Sequence, residues 1–479
     1  MKFSRVSLVA GCSALALPAL TSTAAKPTAP AVANGAAPAK PNVIVIITDQ
    51  QYVGKLSFTG NPALSTPSMD RLARSGYFFN NAFCAYPLSV PSRFAMFSGR
   101  YPADFGVRVN EGVPTDLTAI DNQLMGTAFL KAGYVTYYGG KSHLPQFRRP
   151  EQSQRYGFTT YYSEDRKAEL GKAAAGLIDK LSDGGKPFLL VASFINPHDI
   201  CSFDHFANGG KDKGASQIAG HIVDARAMPH DKFYGDVSPQ LPANFAPMID
   251  APSNTPGYRP GFSVEDWRLR RWSYDRLTEN VDADIKPIID VIERKGLLAN
   301  TIVVYVSDHG DMDASHQMEV KSAPYNEDQK VPFFFAGPGI PKKVDKDNIV
   351  SSGVDLLPTL FDFAGIAIPS NCEGMSLRPL LTGKTATTGR DYIFSEGANW
   401  YQVIYKGRYK YTIIESPGFP DILADLEKDP LETRNVSNAP EYKDVRANLN
   451  KILMASLKGR GLQLDPNNKN KSGRVEVEE

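Results

Sequence analysis

The stretch AYPLSVPSRFAMFSGRYP, residues 85–102, sets Ser89 two residues ahead of Pro91 and follows it with Ser92 and Arg93. Pro91 suits the first turn of a helix, where a missing N–H leaves no hydrogen bond unmade, and Gly99 suits its end. Ser89 then stands just before a helix N-terminus, where free N–H groups and the helix dipole favour negative charge, with Arg93 one turn on. A serine so placed can meet an anion as a nucleophile. It can equally be a plain cap, the position serine favours, and the same holds for Ser92.

Other chemistry-bearing residues end apolar runs. Asp49 closes NVIVIIT (residues 42–48), His198 comes shortly after PFLLVASF (187–194), and Asp308 follows TIVVYVS (301–307). These runs, with VPFFFAG (331–337), read as strands buried on both faces of a parallel sheet. Between them lie helical patterns at residues 68–75, 122–132, 165–181, 273–294 and 355–363. Alternating strands and helices predict an α/β fold, a large, mostly parallel sheet sandwiched by helices. In such sheets ligands bind beyond the C-terminal ends of the strands, so Asp49, His198 and Asp308 converge on one site. Any one of them alone reads as a helix cap.

Composition bounds the partners. Of 479 residues, 53 are Lys or Arg and 52 are Asp or Glu, so no global positive field draws the chain to nucleic acid. An anionic partner must be recognised locally. Residues 1–25 carry Lys2 and Arg5, then an apolar stretch too short and too interrupted by Pro18 to span a bilayer, then small residues. They read as a secretory signal, which implies a periplasmic or secreted protein; VAGC at Cys12 leaves lipid anchoring as the alternative. Residues 26–40 form an Ala/Pro-rich linker. After Gly365 the texture changes, and residues 407–414 and 421–435 suggest a short strand pair in a smaller antiparallel subdomain. The expected division is therefore 41–366, 367–466, and a polar tail at 467–479.

The segment SVPSRFAMFSGR (89–100) resembles the signature of type I sulfatases, members of the alkaline phosphatase superfamily, with Ser98 where Thr is usual. IITDQQ (46–51), GGKSHL (139–144), SFINPHD (193–199), SDHGDMDASHQMEVK (307–321) and VDLLPTLFDFAGI (354–366) follow in the family's order. The resemblance implies an alkaline-phosphatase-like fold and hydrolysis of a sulfate monoester. It also implies that Ser89 is oxidised to formylglycine by a radical maturase of the serine type, Ser92 and Arg93 aiding maturation and geometry. Physically, a serine sulfate would be as inert as the substrate, whereas an aldehyde hydrate has a second hydroxyl that can expel sulfate.

The resemblance further implies that Asp49, Gln50, Asp308 and His309 hold a divalent cation against residue 89. Calcium suits the oxygen ligands; the His309 nitrogen admits manganese or zinc. Lys141 and Lys321 match sulfate-binding lysines that clamp the transition state together with Arg93. His143 matches a base for sulfate release, and His198 a donor to the leaving alcohol. With export, this points to a sulfated saccharide as substrate. A phosphonate monoester or phosphodiester hydrolase, or a silent glycan-binding protein with unmodified Ser89, are the competing readings. Arg108, Asn110, His205, His316 and Trp400 are candidates from position alone.

Overall fold

Strand β1 (Asn42–Asp49) is buried along nearly its whole length because both its faces are covered. Val43, Val45 and Ile47 face one apolar core, and Ile44 and Ile46 face the other. The computed structural model describes residues 40–464, apart from 112–115, 166–168, 211–216, 251–257, 260 and 416–418. The expected signal (residues 1–25), nearly all of the linker, and the tail lie outside the described residues.

β1 sits inside an eight-stranded sheet. The other members are β2 (Tyr77–Phe79), β4 (Val135–Gly140), β5 (Thr160–Ser163), β6 (Phe188–Pro197), β7 (Thr301–Ser307), β8 (Phe333–Ala336) and β9 (Lys343–Asp345), in the order β5-β4-β6-β1-β7-β8-β2-β9. β3 (Ala82–Phe83) pairs with β10 (Val350–Ser351) separately. β1 runs parallel to both β6 and β7, which brings the C-terminal ends of these three strands together. β8 departs from expectation: it runs antiparallel to both β7 and β2. Its apolar run records burial on two faces, which either direction satisfies.

The helices, in chain order, are α1 (Pro67–Arg74), α2 (Ser89–Ser98), α3 (Met125–Lys131), α4 (Glu169–Leu181), α5 (Phe203–Ala207), α6 (Gln217–Ala227), α7 (His230–Lys232), α8 (Val264–Arg294), α9 (Asn326–Gln329), α10 (Leu356–Ala364), α11 (Arg378–Leu381) and α12 (Lys443–Gly459). Residues of α2, α3 and α10 join the core on one face of the sheet, and residues of α1, α4 and α8 the core on the other. α8 begins nine residues earlier than its apolar pattern indicates. A capping box starts it, with Ser263 Oγ accepting from the Asp266 N–H at 3.0 Å and Asp266 accepting from the Ser263 N–H at 2.9 Å. Buried Arg270 interrupts the apolar periodicity of those first turns.

The C-terminal part is larger than a strand pair. β11 (Tyr392–Glu396), β12 (Trp400–Tyr405), β13 (Tyr409–Ile414) and β14 (Ile422–Asp425) form an antiparallel sheet in sequential order. α12 covers it through Leu449, Leu453 and Leu457. Those leucines, four residues apart, are the helical signal that the loop-rich sequence around them obscures.

Candidate active site

Ser89 is the first residue of α2, with extended Leu88 at the cap and Pro91 third, so it stands inside the first turn rather than just before it. Left-handed Gly99 ends the helix as expected (φ 69°). The N–H of Val90 is satisfied by Asn110 Oδ1 at 3.1 Å. Ser89 is fully buried and faces the ends of β1 and β7: its Oγ lies 3.1 Å from His309 Nε2 and 3.5 Å from Lys321 Nζ.

Arg93, one turn on, is an internal strut. Its Nε donates to Asp308 Oδ2 at 2.8 Å, one terminal nitrogen to Asp49 Oδ2 at 2.8 Å, and the other to Ser193 Oγ at 2.7 Å and the Lys141 carbonyl at 3.0 Å. Burial opposes its charge, but the carboxylates of Asp308 and Asp49 hold its pKa above the ordinary value. Ser92 Oγ ties α2 to the Asp308 carbonyl at 2.5 Å.

Asp49, Asp308 and His309 place ligand atoms within 4.8 Å of one another, all buried. Asp308 Oδ1 accepts the N–H groups of Gln50 (3.1 Å) and His309 (2.8 Å). Asp49 Oδ2 accepts from Arg93 and lies 3.0 Å from Lys141 Nζ, whereas buried Asp49 Oδ1 has no hydrogen-bond partner. His309 Nδ1 donates to the Gly310 carbonyl at 2.9 Å, so its Nε2 presents a lone pair. That lone pair lies 3.9 Å from Asp49 Oδ1 and 3.7 Å from Asp308 Oδ1. Three acceptors converging in a buried space, one of them orphaned, fit a divalent cation.

Electrostatics agree. Burial would raise Asp49, but Lys141, His198, Arg93 and Lys321 hold it well below the usual carboxylate range. Burial and then Asp49 push Asp308 up to about 7. Burial and then Lys321 lower His309 to about 3, keeping the imidazole neutral and able to bind a metal. His198 is held well below its usual value by burial, Lys141 and Lys321; its Nε2 is 3.9 Å from Asp49 Oδ1.

The expected residues fall into two groups. Asp49, Ser89, Arg93, Lys141, His198, Asp308, His309 and Lys321 share direct contacts or close approaches. His143 is half-buried with its Nδ1 unpartnered, and no hydrogen bond joins it to the others among the described residues. Burial and Lys141 lower its pKa to about 2. Gln50 lies in the site with φ 65°, but its Oε1, expected as a cation ligand, is engaged by Lys321 Nζ at 3.0 Å and Cys201 Sγ at 3.1 Å.

Most positional guesses take structural parts. Trp400 is buried, and its Nε1 donates to the Ser322 carbonyl at 3.0 Å. Arg108 pairs with Glu415 at 2.7 Å and covers the Tyr401 ring. His316 is buried against the Tyr325 ring, and His205 lies against Phe206 in α5. Sequence reasoning missed Asp311 and Arg270, a fully buried pair whose partners come from distant segments.

Residues 41–366 match the family model described as Sulfatase, and residues 315–458 match one described as N-sulphoglucosamine sulphohydrolase, C-terminal. A Delta 4,5-hexuronate-2-O-sulfatase of Bacteroides thetaiotaomicron is 30% identical over 439 residues, 85% of this chain and 87% of that protein. An arylsulfatase of Clostridium perfringens is 28% identical over 492 residues, 88% of this chain and 95% of that one. Among solved structures, a 2-O GAG sulfatase superposes with a TM-score of 0.73 at 27% identity, covering 90% of this chain and 96% of that one. A phosphonate monoester hydrolase of Agrobacterium radiobacter shares the fold at a TM-score of 0.65 and 20% identity, covering 88% and 96%.

Proposed function

This chain belongs to the sulfatase family of the alkaline phosphatase superfamily and hydrolyses sulfate esters, and from that premise we propose that its substrate is a sulfated saccharide and residue 89 its nucleophilic position. The observation that carries the assignment of the site is the meeting of Lys321 and His309 on Ser89 at the first turn of α2, with Lys141 held on Asp49 beside them. Two lysines and a helix N-terminus supply a positive setting for a sulfate group.

Asp49, Asp308 and His309 would hold the divalent cation, which supplies Lewis-acid polarisation of the sulfate and of the nucleophile. Oxidised to formylglycine by a radical maturase, residue 89 supplies a nucleophile that can be regenerated after sulfur transfer. The chain's own residues do the rest. Arg93 and Ser92 hold α2 against β1 and β7, so residue 89 cannot drift from the carboxylates. Lys141 and Lys321 bind sulfate oxygens. Burial and then both lysines depress His198, so an anionic sulfate between the lysines offsets their part of that shift and favours His198 as the proton donor to the leaving alcohol. His143, depressed by burial and then by Lys141, loses the Lys141 part of that shift on the same neutralisation, in the direction a base in sulfate release requires.

The saccharide substrate is supported by the hexuronate-2-O-sulfatase and the 2-O GAG sulfatase among the relatives. Export through residues 1–25 fits that substrate, and 41–366 with 367–466 is the proposed division into catalytic and smaller parts. No described helix is long and apolar enough to cross a membrane.

The test pairs two measurements on enzyme matured with a serine-type maturase. Mass analysis of the peptide containing residue 89 should show loss of two hydrogens, and kcat/KM on an aryl sulfate should exceed that on an aryl phosphonate monoester. A reversed preference would favour the phosphonate reading. An unmodified, inactive protein from its native host would favour the silent glycan binder. A screen of mono-sulfated saccharides then identifies the sugar and sulfate position.

A further inference from the structure

α8 grips Gln50 twice. Tyr274 Oη donates to the Gln50 backbone carbonyl at 2.5 Å and accepts the Tyr52 N–H at 3.1 Å. One turn earlier on the same helix, Arg270 holds Asp311 in a bidentate pair at 2.9 and 2.9 Å, both side chains fully buried. Asp311 Oδ2 in turn accepts from Gln50 Nε2 at 2.7 Å.

The polarity of this chain has a consequence. A carboxylate locked by a guanidinium fork is an acceptor only, so the amide nitrogen of Gln50 must face Asp311. The amide oxygen must then face the opposite way, into the site, where Lys321 Nζ (3.0 Å) and Cys201 Sγ (3.1 Å) donate to it. Lys321 is a flexible cation whose ammonium has no preferred direction of its own. Gln50 supplies that direction, from a left-handed backbone (φ 65°) disfavoured for a side-chain-bearing residue. The Tyr274 contact to its carbonyl offsets that strain.

We propose that Arg270, through Asp311, and Tyr274 are positioning residues for the reaction: one face of α8 fixes the orientation of Gln50, and Gln50 aims Lys321 at residue 89. This rests on the assignment of Lys321 to sulfate binding made above.

The experiment is a set of double-mutant cycles on matured enzyme, with kcat/KM on an aryl sulfate and Tm measured for every variant. Tyr274→Phe and Asp311→Asn should each lower kcat/KM by about tenfold, the scale of outer-shell orienting contacts. In a Gln50→Ala or Lys321→Ala background neither should lower it further, because the path is already cut. A purely structural role predicts the reverse, losses that multiply in those backgrounds, and that result would overturn the proposal. Single variants with wild-type kcat/KM would overturn it as well. If Asp311→Asn fails to fold because Arg270 is stranded, Tyr274→Phe, which keeps its ring in place, carries the cycle alone. Lys321→Ala with undiminished kcat/KM would instead overturn the underlying assignment of Lys321.

Discussion

Ser89 Oγ faces His309 Nε2 at 3.1 Å, across 220 positions of sequence. The contact places the start of α2 against the end of β7, with Lys321 Nζ 3.5 Å from the same oxygen. Ser89→Ala removes the precursor of the nucleophile while changing one buried hydroxyl. It should lower kcat by at least about a thousandfold, as loss of a nucleophile does elsewhere. Thermal unfolding should shift little, and a large drop in Tm with residual turnover would contradict the assignment.

Cation removal should be visible in stability as well as in rate. Asp49 Oδ1 has no partner and Asp308 is pushed up to about 7 by burial and by Asp49. A bound divalent ion answers both. Chelated enzyme should therefore melt lower, and titration with calcium, manganese or zinc should raise Tm with concentration, the gain in stability being about 2.7 kcal/mol at a hundredfold excess over Kd. His309→Ala should blunt that rise. A Tm indifferent to all three ions would remove the cation from this site.

Trp400, first of the residues in β12, holds the carbonyl of Ser322 and so fixes the loop next to Lys321. Trp400→Phe keeps an aromatic ring and leaves that carbonyl without its donor, at a cost of about 1–3 kcal/mol. KM for a sulfate ester should rise severalfold as Lys321 loses its fixed loop. Wild-type KM in a destabilised variant would confine Trp400 to packing.

Asp284 on α8 offers a test by pH away from the site. Burial raises its pKa to about 6, with Lys172 opposing. A raised carboxyl favours the protonated folded state, so this contribution is present below the unfolded value near 4 and is lost as pH rises through about 6. Asp284→Asn should stabilise the protein at pH 7.5, on the order of 1–3 kcal/mol before solvent screening, and much less at pH 4. Denaturant midpoints at both pH values check the sign; a gain that is the same at both would show that Asp284 is not the titrating group.

How much was legible differs by element. β1, β6 and β7 contain continuous apolar runs whose short length and, in β1 and β7, β-branched content read as strands buried on both faces. Asp49 and Asp308 stand out because each is the first carboxylate after an apolar run, although both stay buried and are compensated there by Arg93. The start of α8 was obscured by Arg270, a charge that is buried only because Asp311 and Glu319 reach it from elsewhere. The direction of β8 left no mark, since its phenylalanines are equally buried either way.

The amino-acid sequence by itself determined which residues end the central strands, that a helix starts close to Ser89, and the family to which the order of the motifs belongs; the first two depend on neighbours a few positions apart, the third on short motifs in sequence. Only the tertiary structure decided that Arg93 is an internal strut, that Trp400 anchors a backbone carbonyl, and that Gln50 turns its amide oxygen toward Lys321. The physical reason is that hydrogen-bond polarity and charge compensation are set by partners in space. Asp311 and Gln50 are 261 positions apart, and no local pattern records which of their atoms must face the other.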